Sequence, residues 1–138
     1  AWAQTEAAFR AGELDVVAMV DTEARHGFAQ FTRGIASPAF GLYRRASEPE
    51  PQGLRGLDGL RLAVLDTEPS RDTLATALRD RTGEVIRARD AAAALDAVAR
   101  SEADVALLPR AYGDPALGAR ADGGLVLSHA VPTLQTYA

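Results

Sequence analysis

The sequence predicts an α/β fold built on a largely parallel sheet, and three observations carry this. Leu60 to Leu65 (LRLAVL) and Ala103 to Leu108 (ADVALL) read as buried-type strands, and Glu84 to Ala88 holds a short strand around Val85 and Ile86. The intervals between them carry helical spacing: Leu74, Ala77 and Leu78 in the first, Ala94, Leu95 and Val98 in the second. Runs with no polar face are strands covered on both sides, the situation of a parallel sheet sandwiched by helices. Strand, helix, strand, helix, strand in about fifty residues therefore implies right-handed crossovers.

Each element follows from local chemistry. Residues 3–11 read as a helix that Thr5 can cap and Gly12 can end. Leu14 to Val20 (LDVVAMV) is a Val-rich run of strand length, read as a buried parallel strand. Residues 21–37 mix an acidic turn, Arg25 and His26 with Phe28 and Phe31. Pro38 to Arg45 reads as a strand, with Ala39, Gly41 and Tyr43 alternating against Phe40 and Leu42. Residues 46–59, with Pro49, Pro51 and glycines at 53, 56 and 59, have little to bury and read as a linker or exposed loop.

Ser70 and Asp90 sit where N-caps belong, and Asp72 would favour the first turn of its helix. Thr82-Gly83 stops the first of these helices, and Pro109 closes the strand that follows the second. Residues 109–123, rich in Gly and Pro, read as largely irregular, with room for one helical turn. Leu125 to Val131 reads as a strand, and Leu134 to Ala138 as another.

Composition narrows the function. All fifteen basic residues are Arg, and with 19 acidic residues the net charge is −4, which does not suit a binder of phosphate backbones. The absence of Lys removes P-loop and Schiff-base lysine chemistry. With the abundance of Ala, it reads as the codon bias of a GC-rich genome. The absence of Cys removes disulfides, thiolate catalysis and zinc–cysteine sites. No apolar run reaches the roughly 18 residues of a membrane span.

Several motifs carry little chemistry. Gly53, Gly56 and Gly59 imitate a dinucleotide fingerprint, but they precede a strand where the chemistry needs them after one. His26 and His129 have no partner histidine at ligand spacing, so no metal site is expected. Ser128 and His129 are strand neighbours and point to opposite faces, so they do not form a catalytic dyad.

Two segments are better placed. Asp66, Thr67, Glu68 and Ser70 lie between the carboxyl end of a strand and the start of a helix, where α/β sheets bind ligands; helix capping by Ser70 explains the same residues. Arg25 follows the 14–20 run and could clamp an anion with its planar fork, although spacing alone favours a surface ion pair with Asp21 or Glu23.

The order and spacing of these pieces resemble the type 2 periplasmic substrate-binding proteins, in particular the solute-binding family that includes amino-acid receptors. The segments that carry the resemblance are AFRAGELDVVAMV, DTEARHGFAQFT, SPAFGLYRR, LDGLRLAVL and AALDAVARSEADVALL, from about Phe9 to Leu108. The resemblance implies a three-layer αβα architecture with a mixed, mostly parallel sheet. Residues 1–45 would be a partial first lobe and crossover strand, 46–59 a linker, 60–123 a second-lobe βαβαβ unit and 124–138 the return crossover. It also implies a piece of a longer protein, with a strand–helix–strand ahead of Ala1 and a closing helix beyond Ala138.

By the same resemblance, Arg25 falls where the family binds a ligand carboxylate, with Thr22 beside it. Asp66, Thr67, Glu68 and Ser70 fall where the second lobe offers hydroxyls and a helix N-terminus. Two positions depart from the pattern: Val20 replaces a ligand-contacting Ser or Thr, and Pro109 replaces the Asp that meets a ligand amine. A small anion or carboxylate without an amine is therefore the expected solute, because an unpaired ammonium is costly to bury.

The implied protein binds its solute outside the cytoplasmic membrane, by hinge closure, for an ABC permease or a membrane receptor. No catalytic residue, cofactor, metal or nucleic acid is implied. An enzyme on the same fold acting on a small carboxylate or phosphate, or the effector domain of a transcription regulator, are the alternatives.

Overall fold

The structure, a computed structural model, describes residues 2–34, 39–52, 54–67 and 83–131. The chain divides into two compact units, Ala1–Ser37 with Gln135–Ala138, and Pro38–Leu134.

The larger unit holds a five-stranded sheet. Its strands are β1 (Phe40–Arg45), β2 (Leu62–Leu65), β3 (Val85–Ala88), β4 (Val105–Pro109) and β5 (Leu125–Val131), in the order β3-β2-β4-β1-β5. β2 pairs in parallel with both β3 and β4, whereas β1 runs antiparallel to β4 and β5. Four strands thus share one direction and β1 opposes them, the mixed, mostly parallel sheet expected from the sequence. The helices are α2 (Ala91–Ala99) and α3 (Arg110–Gly118).

The two faces of the sheet sort by the alternation of side chains along a strand. Phe40, Leu42, Leu62, Val64, Val105 and Leu107 form one core with Leu57. Tyr43, Ala63, Leu65, Ala106 and Leu108 form the other with Ala94, Leu95 and Val98 of α2. Leu57 is fully buried and Pro51 is buried too, so the 46–59 segment contributes a 3-10 turn (Leu54–Leu57) to the core and is not a bare linker. Each fully hidden Leu contributes about 1.5–3 kcal/mol of transfer free energy.

Asp90 caps α2 as its position implied, its carboxylate accepting from the Ala93 N–H at 2.8 Å. At the other end of α2 Ser101 adopts a left-handed backbone, φ 60°. Arg45 reaches across from β1 and donates to the carbonyls of Val98, in the last turn of α2, and Ala103, just ahead of β4, at 2.6 and 2.9 Å. Arg61 joins the start of β2 to that of β4. Its guanidinium grips Asp104 at 2.8 and 3.2 Å, and its N–H donates to the same carboxylate at 2.8 Å.

Two expectations are corrected. Residues 110–118 form a nine-residue helix, not an irregular stretch, although it contains Gly113 and Pro115. Tertiary contacts override its poor propensity. Asp114 pairs with Arg110 one turn away at 2.7 Å and accepts the Tyr43 hydroxyl at 2.6 Å. Gly113 faces the Tyr43 ring so closely that an added Cβ would lie 2.4 Å from Cζ.

The second correction concerns residues 14–20, which are not a buried strand. Only Val20 makes a bridge, and Val16 is 86% exposed and Leu14 39% exposed. An apolar run becomes a strand only beside another strand, and among the described residues none lies along it.

In the smaller unit α1 (Trp2–Arg10) ends at Gly12, whose φ of 76° suits a residue just past a helix. The first helix expected after β2, with Leu74, Ala77 and Leu78, lies outside the described residues, as does the strand expected at 134–138. No helix among the described residues is long and apolar enough to cross a membrane.

Candidate functional site

The smaller unit places Thr22 and Arg25 together on a 3-10 turn, Glu23–Gly27. Thr22 opens the turn in extended backbone, and its carbonyl accepts from the Arg25 N–H at 3.0 Å. The Arg25 carbonyl in turn accepts from the N–H groups of Phe28 and Ala29 at 3.1 and 3.0 Å. Both residues are buried, Thr22 7% and Arg25 3% exposed.

The Arg25 side chain folds back under the turn. One terminal nitrogen donates to the Val20 carbonyl at 2.8 Å, and the other lies 3.9 Å from Glu6 Oε2 of α1. A guanidinium stays charged at any physiological pH. Removing that charge from water costs several kcal/mol unless partners replace the lost hydration. The carbonyl and the carboxylate are partners of that kind.

Asp21 is not the partner of Arg25. It shares a 2.6 Å hydrogen bond with His26 Nε2, and the His26 ring stacks on Phe31 with centroids 5.0 Å apart. The surface pairing of Arg25 that the sequence allowed is therefore replaced by a buried arrangement centred on Val20 and Glu6. Glu6 also accepts from Arg10 at 2.8 and 3.0 Å, and Arg10 lies 3.4 Å over the Phe28 ring. Sequence spacing reveals the Glu6–Arg10 pair at i, i+4; the approach of Glu6 to Arg25 has no signal in sequence.

The larger unit places Asp66 and Thr67 at the carboxyl end of β2. The Asp66 N–H extends the ladder by donating to the Ala88 carbonyl at 3.0 Å. Its carboxylate lies 3.6 Å from Arg87, with both side chains about half exposed (52% and 48%). Thr67 is exposed. Glu68 and Ser70 lie outside the described residues.

Tyr43, Arg110 and Asp114 of the larger unit join β1 to α3. The Tyr43 hydroxyl is pushed well above its ordinary pKa, first by burial and then by its bond to Asp114. The Asp114 carboxyl is held below its ordinary range by the Tyr43 hydroxyl and then by Arg110. Pro109, at the end of β4, pairs with Phe40 in the ladder. Ser128 accepts from Arg44 Nε at 2.8 Å, a structural bond between β1 and β5. Among the described residues no three His, Asp or Glu side chains come together in a way that could hold a metal ion.

No family model and no curated protein matches the sequence. Solved structures do match. A histidine kinase sensor domain with similarity to periplasmic binding proteins aligns with a TM-score of 0.76 at 20% identity, over 100% of this chain and 60% of that one. An ancestral arginine-binding protein bound to arginine aligns with a TM-score of 0.76 at 14% identity, over 99% of this chain and 61% of that one. The periplasmic VFT2 domain of Bordetella pertussis BvgS also gives 0.76, at 21% identity, over 99% of this chain and 57% of that one. The chain thus spans about 60% of the length of these structures. At these identities the likeness establishes architecture: the chain has the fold of the periplasmic-binding-protein-like domains, in agreement with its sequence.

Proposed function

We propose that the chain is part of a domain that binds a small solute bearing an anionic group, without chemical change to it. The observation that carries this reading is the burial of Arg25. A planar fork of donors is held buried in a short turn, and it matches a carboxylate or another oxyanion. The architecture supports the reading, since it is shared with a sensor domain and with an arginine-binding protein.

Arg25 supplies the charge and Thr22 a hydroxyl beside it. Asp66 and Thr67 form a second candidate segment at the carboxyl end of a parallel strand, a position that α/β sheets use for ligands, and Glu68 and Ser70 follow them in sequence. The parent protein then works outside the cytoplasmic membrane, delivering solute to an ABC permease or reporting it through a membrane receptor. The solute lacks an amine, because Pro109 offers no charge at the end of β4.

A thermal-shift screen against phosphate, sulfate, succinate, L-glutamate and L-arginine tests this. Binding raises the melting temperature by mass action, about 2.7 kcal/mol of stabilisation at a hundredfold excess over Kd. The expected result is saturable stabilisation by an amine-free anion. A cooperatively folded chain that responds to none of them would overturn the reading. A response confined to amino acids would overturn its amine-free part, and turnover of a bound compound would favour an enzyme.

A further inference from the structure

We propose that Glu6 is an internal competitor for Arg25: its carboxylate holds the position beside the guanidinium that a solute anion would take, and so sets the affinity of the site. The inference rests on the reading of Arg25 as an anion-binding residue and adds a specificity-determining residue to it.

The geometry has three parts. Glu6 Oε2 stands 3.9 Å from a terminal nitrogen of Arg25, longer than a direct charge-assisted hydrogen bond. Glu6 Oε1 is committed elsewhere, taking two bonds from Arg10 at 2.8 and 3.0 Å. Arg10 is itself seated 3.4 Å over the Phe28 ring, which packs edge-on against Phe9 at 6.4 Å. The carboxylate is thus tethered by its second cation and leans toward Arg25 without closing on it. Glu6 also lies nearer the solvent, its side chain 22% exposed against 4% for Arg25. It is the outer member of the pair.

An anion reaching Arg25 meets a like charge at that distance, and the repulsion is strong in a partly dry setting. Only a solute whose oxyanion bonds the fork better than Glu6 does can overcome it. A bidentate carboxylate meets this requirement and a weakly coordinating anion does not. Arg10 and the Phe28 ring keep Glu6 in place, so its charge acts as a threshold for entry.

Sulfate is the probe, with sodium chloride at matched ionic strength as the control for general salt effects. Glu6→Ala removes the charge and the cover, and it keeps helix propensity high. Glu6→Gln removes the charge alone. Both variants should bind sulfate roughly tenfold more tightly than the unmodified chain, read as saturable thermal stabilisation beyond the chloride control. The Arg25 Nε–H resonance should move during the titration.

Equal sulfate affinity in all three proteins, with the Arg25 resonance moving in each, would overturn the role of Glu6 and leave the reading of Arg25 standing. Three folded proteins with no response at Arg25 would overturn both.

Discussion

The Tyr43 hydroxyl of β1 donates to Asp114 of α3 at 2.6 Å, across 71 positions of sequence. The same aspartate takes the Arg110 guanidinium, so a single carboxylate joins a fully buried tyrosine to the first turn of a helix. This arrangement explains why a helix containing Gly113 and Pro115 forms. Its stability comes from the sheet beneath it more than from its own sequence.

Tyr43→Phe should lower stability by about 1–2 kcal/mol, the usual value of a hydrogen bond to a charged group when one partner is lost. Gly113→Ala should cost at least as much, about 1–3 kcal/mol, since its Cβ would overlap the Tyr43 ring. Urea-unfolding midpoints measure both. A Gly113→Ala chain as stable as the original would refute the close packing of α3 on Tyr43.

Acid should weaken the larger unit through Asp104. The hydrogen bonds from the Arg61 guanidinium hold its carboxyl below the ordinary carboxylate range, despite the opposing effect of burial. A carboxyl depressed in the folded state adds stability above its unfolded pKa, about 3.9, and that stability is lost as pH falls through the folded value. Asp114 acts in the same direction. Asp104→Asn should therefore be less stable than the original chain at pH 7, with the gap narrowing below about pH 4. Unfolding midpoints from pH 7 to pH 2 give the comparison, and curves that stay parallel would contradict it.

Ser101→Gly should stabilise the protein. Ser101 ends the α2 turn at φ 60°, with its N–H on the Val98 carbonyl at 3.1 Å. A left-handed L-residue costs about 1–2 kcal/mol, part of which glycine returns as unfolded-chain entropy. A net gain of about 0.5–1 kcal/mol in chemical denaturation is expected, and a loss would show that the serine side chain contributes more than its strain.

Much of the larger unit was legible in the sequence, because its information is local. Val105 to Leu108 (VALL) are apolar on both faces and lie buried in β4, and Asp90 stands three residues before the N–H it caps. Where the sequence misleads, the deciding partner is distant. Residues 14–20 look like a strand by composition, yet Val16 faces solvent, since apolar patterning specifies burial only when something comes to cover it. The helix at 110–118 was hidden by Gly113 and Pro115 because its support, Tyr43, is far away in sequence. Of the candidate site, position singles out Arg25 and the resemblance adds Thr22, but neither the burial of Arg25 nor the approach of Glu6 follows from spacing on a single chain.

Arg25 is proposed to bind a solute anion through its fork. Isothermal titration of the 138-residue chain and of Arg25→Lys, against the strongest amine-free anion from the thermal screen, tests it most directly. Lysine keeps the charge and loses the bidentate geometry. The original chain should bind saturably and the variant should lose affinity roughly tenfold or more, with cooperative unfolding retained. Equal affinity in the two proteins would contradict it and make Arg25 a structural residue of its turn.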